Sequence, residues 1–162
     1  LLTTRIAKIA RALFARPADT TAYAVGDLVA NPGAAAAVVP LALELALRAG
    51  GAGLLKAVRL HKSTATTANA QFRVHFFRKR PTAAAADNAA FSANGFASMY
   101  IGFVDVTVDT AHSDGASGRA TADLRFDCDP GVKTIFALVE ARAAYAPGNA
   151  EQFRVTVESD PD

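Results

Sequence analysis

Past Pro17, apolar and polar residues alternate with a period of two in one stretch after another, and Gly, Pro, Asn or Asp closes each stretch. Successive side chains of a strand point to opposite faces, so this pattern describes strands with one face in a core. Tyr23–Val29 reads as a short strand broken by a turn or bulge at Gly26-Asp27. Leu41, Leu43, Leu45 and Leu47 alternate with Ala42, Glu44, Ala46 and Arg48. Helix propensity alone would favour a helix there, but Pro40 and Gly50-Gly51 bound the run tightly and alternation decides for a strand. Residues 54–62, 72–77, 99–108, 122–128, 134–145 and 153–157 continue the series.

The turns between them are equally plain. Asn31-Pro32-Gly33, Asp129-Pro130-Gly131 and Ala146-Pro147-Gly148-Asn149 carry turn chemistry. Gly50-Gly51-Ala52-Gly53 reads as a hairpin loop, and residues 111–118 as a turn or flexible tip. The alanines at 34–37 would suit a helix, but Val38-Val39-Pro40 spoils it. Residues 81–98 form a long irregular connection, the kind that tends to make contacts or carry function. Eight or nine strands result. The expected fold is all-β: an antiparallel β-sandwich or jelly roll of about eight strands, with a short N-terminal arm or helix. Phe72, Val74, Phe76, Leu124, Phe126, Val139, Phe153 and Val155 are the expected core.

Composition narrows the chemistry. At 162 residues the chain suits one domain. Hydrophobic residues make up 51%, but about 38 of them are alanines, so Phe, Leu, Ile, Val and Tyr must supply the core. A single cysteine, Cys128, excludes an intrachain disulfide and a cysteine-based zinc site. It sits on the apolar side of its stretch and reads as a small buried hydrophobe. No run of 18 uncharged apolar residues occurs, so no membrane-spanning helix is expected. A formal charge of +2 is too weak to imply a nucleic-acid partner. The chain starts at Leu1, which suggests that residues upstream are missing or removed.

Catalytic signatures are absent. His61, His75 and His112 have no second ligand at metal spacing, and His61 and His75 are expected to face solvent. No nucleophile elbow, P-loop or dinucleotide fingerprint occurs. The Gly-rich segment at 50–53 leads into a strand and so lacks the helix dipole of a phosphate cradle. The aspartates at 105, 109, 114, 127 and 129 have no EF-hand spacing. No enzyme activity and no cofactor are expected.

Two basic segments remain. In residues 1–16, Arg5, Lys8, Arg11 and Arg16 interleave with Leu2, Ile6, Ile9 and Leu13. Ile6, Ile9 and Leu13 have helical spacing and Pro17 ends the run, so a basic amphipathic helix near 5–14 is expected. Read as an arm (residues 1–16, ahead of a β-domain at 17–162), its apolar side needs another chain. Alternatively it is a terminus docked on the core. Arg78-Lys79-Arg80 is the most basic spot and reads as a charged strand end available to acidic groups on a partner.

Five segments in order carry a resemblance. They are Tyr23-x-x-Gly26-Asp27-x-Val29, residues 51–60, the Phe72–Phe77 strand, Pro81-Thr82 leading to Asp87-Asn88-Ala89-Ala90-Phe91, and Ile101-Gly102. In this order they resemble head decoration, or cement, proteins of tailed bacteriophages, over roughly 80 residues. The alanines at 83–86 and the basic N-terminal segment have no counterpart in that pattern. The resemblance implies a structural virion protein on the outer surface of a capsid that bridges major capsid protein subunits. It brings no catalytic residues, and no membrane or direct nucleic-acid contact is expected. A homo-oligomer is expected, a trimer before a dimer. The capsid-contacting candidates are Arg5, Ile6, Lys8, Ile9, Arg11, Leu13, Arg78, Lys79 and Arg80. The alternative, from a different class, is a carbohydrate-binding or fibre-like jelly-roll module, which absent Trp and scarce Tyr argue against.

Overall fold

A computed structural model describes residues 6–94 and 97–162. Among the described residues twelve strands are formed: β1 (Lys8–Ala15), β2 (Leu28–Val29), β3 (Leu41–Glu44), β4 (Ala52–Lys62), β5 (Gln71–Phe77), β6 (Thr82–Ala83), β7 (Ala93–Asn94), β8 (Tyr100–Thr107), β9 (Thr110–His112), β10 (Gly115–Asp127), β11 (Thr134–Ala141) and β12 (Gln152–Pro161). Every pairing is antiparallel.

The chain pairs as nested hairpins. β5 pairs β8, β4 pairs β10, β2 and β3 both pair β11, and β1 pairs β12. Rolling that ribbon brings β12 against β4 and β11 against β5. One sheet then runs β1-β12-β4-β10-β9 and the other β2-β11-β5-β8, with β3 also on β11. Two antiparallel five-stranded sheets wrapped this way are a jelly roll. The expected fold class therefore holds.

The core lies between the sheets. Phe72, Phe76, Phe126, Phe153 and Tyr145 are fully enclosed with Leu43, Leu45, Leu55 and Leu60. Phe153 takes Phe72 edge-on at 5.4 Å and stacks on Phe14 at 5.4 Å. Of the expected core residues only Leu124 is half-buried; it packs at the margin. At that margin β10 crosses β8 of the opposite sheet so closely that a Cβ on Gly118 would lie 1.9 Å from the Thr107 carbonyl oxygen.

A smaller apolar cluster covers the outside of the second sheet. Phe77 and Leu138 point away from the main core and are buried beneath Ala83, Ala85, Val38 and Phe91. The long connection after β5 is thus a cover, held in part by the β6–β7 ribbon. This is why β5 is buried on both faces and why His75 is enclosed rather than solvent-facing.

Several segments differ from the sequence reading. Residues 8–15 are a strand, not a helix. Ala10, Ala12 and Phe14 alternate with Ile9, Arg11 and Leu13 just as well as Ile6, Ile9 and Leu13 fit a helix, and β12 offers an edge to pair with. Of Tyr23–Val29 only Leu28–Val29 pairs in a sheet; Gly26 turns the chain with φ of 95°. Residues 34–37 yield one turn of 3-10 helix, Ala35–Ala37. The Gly50-Gly51 loop is not a hairpin, because β3 and β4 lie in different sheets. It crosses between them beside the Asp129–Gly131 crossover, with Cys128 N–H donating to the Gly51 carbonyl at 2.9 Å. Within residues 111–118 the expected turn is formed, at Ser113-Asp114, where it closes a tight β9–β10 hairpin.

Candidate functional site

The outer face of the β1-β12-β4-β10 sheet gathers residues from across the whole chain. Register alone places Arg11, Thr156, Arg59 and Arg119 in one row across the four strands. The adjacent row holds Leu13, Arg154, His61, Ser117 and Thr110. Their alternate neighbours are the core residues Leu60, Val155 and Val157, so each arginine must face outward.

This face is a shallow depression of about 510 Å³ lined by all four arginines, with His61 and Asp109. Glu158 lies among them, 2.7 Å from Arg59 and 3.6 Å from Arg119. Among the described residues neither Arg11 nor Arg154 has a carboxylate partner. Four guanidinium groups against Glu158 and Asp109 leave a formal excess of two positive charges. On β1 itself, Ile9 and Leu13 flank Arg11 on the same face and are 45% and 57% exposed.

The residues singled out from sequence are divided by the fold. Ile9, Arg11 and Leu13 belong to this face. Ile6 is exposed just ahead of β1, and Arg5 lies outside the described residues. Lys8 turns the other way, donating to Glu44 and to the Ala46 carbonyl, both at 2.9 Å. Arg78 is engaged within the chain, 3.0 Å from Asp127 and 3.0 Å from Asp129. Lys79 and Arg80 are exposed beyond β5, in the other sheet. Arg59, Arg119 and Arg154 were missed because no short motif joins them.

Arg16 is not a solvated cation but a bolt at one end of the sandwich. Its side chain is enclosed and donates to the Tyr23 hydroxyl at 2.9 Å. Tyr23 in turn donates to Asp87 at 2.6 Å, and Asp87 accepts the Ala30 N–H at 2.9 Å. Burial raises the Asp87 carboxyl despite those bonds. Lys62 and Glu151 form a second enclosed pair at 3.2 Å, with Tyr145 donating to Glu151 at 2.7 Å.

The outside of the second sheet holds a polar network. His75 Nε2 lies 2.5 Å from Glu140 and Nδ1 lies 2.9 Å from the Tyr100 hydroxyl. Burial lowers the His75 pKa, and this outweighs the opposite pull of Glu140. The neutral ring fits both bonds, with Nε2–H donating to Glu140 and Nδ1 accepting from Tyr100. Burial works against the Glu140 carboxylate, but hydrogen bonds from His75 and Arg142 outweigh it and hold the group below its usual range. Arg73 forks onto Asp105 at 2.7 and 2.9 Å and holds that carboxyl down as well. Phe91 stacks on His75 at 4.2 Å. Among the described residues no group of three or more His, Cys, Asp or Glu could hold a metal ion. Cys128 is buried, and burial with the neighbouring Asp127 charge raises its thiol pKa, away from nucleophile chemistry.

No family model matches the chain, and no curated protein does. Among solved structures, one titled as the cyanophage Pam1 capsid asymmetric unit is 17% identical with a TM-score of 0.35, covering 94% of this chain and 83% of that one. Black queen cell virus is 8% identical with a TM-score of 0.27, covering 96% and 68%. The native virion of Kashmir bee virus at acidic pH is 14% identical with a TM-score of 0.26, covering 94% and 70%. Identities and scores at this level transfer no role, so the functional reading stands on the chain's own surfaces.

Proposed function

We propose that this chain is a structural virion protein that decorates a bacteriophage capsid on its outer surface and stabilises it by bridging major coat subunits. The observation that carries the reading is the face built on β1. Phe14 fixes that strand to the core, while Ile9 and Leu13 stand exposed beside Arg11. Apolar side chains held open on a rigid strand beside unpaired cations suit adhesion to another protein. Exposed Ile6, just ahead of β1, extends the grip. Many such copies on one shell add to a large avidity, and a closed trimer would let one patch serve every copy.

The test is to mix the purified protein with undecorated heads and sediment them. Retention at a copy number comparable to the coat protein, together with greater resistance of the heads to heat, is the expected result. Heads that stay bare, or are decorated without gaining stability, would sink the reading. A carbohydrate-binding module is the second reading. It is favoured by an apolar depression of about 400 Å³ lined by Phe77, Phe91 and Tyr100, and a glycan array tests it directly.

A further inference from the structure

We infer that the outer face of the β1-β12-β4-β10 sheet is a seat for an acidic protein segment, an extended stretch whose carboxylates alternate with apolar residues. The decoration reading supplies the chain that offers this segment; the chemistry of the seat comes from the sheet itself. Arg11 and Arg154 are exposed, lie on neighbouring strands in adjacent rows and have no carboxylate partner among the described residues. Arg59 and Arg119 are already oriented by Glu158. Guanidinium groups bind carboxylates as planar forks, and a concave floor lets two or more converge on one acid.

Phosphate chains would also be attracted, but the face is poorly made for them. Glu158 and Asp109 lie within or beside the depression and would repel a continuous row of phosphates. Its lining holds no Phe, Tyr or Trp, so bases would lack the broad stacking platforms of a single-strand groove. Ile9 and Leu13, by contrast, lie one outward position either side of Arg11. A strand-like segment running beside β1 would meet apolar, cationic and apolar side chains in turn, at every second residue. Its complement carries an acid between two apolar residues.

The experiment uses the full chain and a short fluorescein-labelled peptide in which Val, Glu and Val occupy alternate positions with Thr between them. We expect it to bind, to weaken as salt is raised, and to lose about tenfold or more in affinity to the Arg11→Ala/Arg154→Ala variant. The Arg11→Lys/Arg154→Lys variant separates charge from fold: it should recover part of the binding with an unchanged β-sheet spectrum. The same peptide with Gln for Glu, and labelled oligothymidine, should bind weakly or not at all. No binding of the Glu peptide, equal binding of the Gln peptide, or tighter binding of oligothymidine each overturns the proposal. Sedimentation with heads separates the two readings. If the alanine variant decorates heads as fully as the parent, the seat is wrong and decoration stands. If the parent binds the Glu peptide but leaves heads bare, the seat stands and decoration fails.

Discussion

Phe126 shows how much one side chain carries here. It is enclosed near the end of β10, opposite Gly53 of β4, so Phe126→Ala should cost about 3–5 kcal/mol in urea unfolding; a loss under about 1 kcal/mol would mean that the site collapses around the gap. Gly118→Ala tests a different limit, because its Cβ would meet backbone and not a movable side chain. That variant should melt well below the parent. His75 governs the response to acid. Its pKa is lowered in the fold, so the unfolded chain takes up the proton first, and stability falls as pH drops below the ordinary value of 6.5. Glu140 and Asp105 are also held low, so their stabilisation is present above the usual carboxylate range and is lost at lower pH, as the folded carboxylates protonate. Melting of His75→Gln, which keeps a donor for Glu140, should show a shallower fall between about pH 7 and 5. A parent-like fall would place the titration elsewhere. His75 could not be read from sequence as enclosed, because alternation put it opposite the core and only the cover after β5 closes over it.

At the scale of elements, β1 shows where sequence periodicity is ambiguous. Ile6, Ile9 and Leu13 satisfy a helix while Ala10, Ala12 and Phe14 satisfy a strand, and the pairing partner lies at the far end of the chain. Local sequence cannot weigh an edge it has not yet met. Residues 41–47 went the other way: Leu, Ala and Glu favour helix, yet Pro40 and Gly50 left no room for one, and Leu41–Glu44 is a strand. Deleting residues 1–16 should lower the melting temperature sharply. It removes the Phe14–Phe153 stack, bares the β12 edge and leaves Tyr23 and Asp87 without Arg16. An unchanged melt would show that β1 is dispensable.

The whole molecule is a set of nested pairs, and its two candidate surfaces exist only once those pairs have closed. The fold class was legible because each strand advertises itself through alternation and a turn. The basic face was not, because Arg11, Arg59, Arg119 and Arg154 become neighbours only through register between strands more than forty residues apart in sequence. Such long-range closure is slow, so refolding followed by tyrosine fluorescence should fall in the millisecond-to-second range of β-sandwiches. A microsecond phase that accounts for the full amplitude would contradict it. The outermost pair also sets how the protein bears force. β1 and β12 are antiparallel, and Lys8 lies opposite Ser159, so both ends of the folded chain leave from the same pole. Tension applied between those ends acts across the strands and breaks the ladder one rung at a time, starting from Lys8, instead of shearing all rungs together. Under the proposed role, load from a shell should therefore pass through the sheet's broad face, with Lys8 and Ser159 kept out of its path.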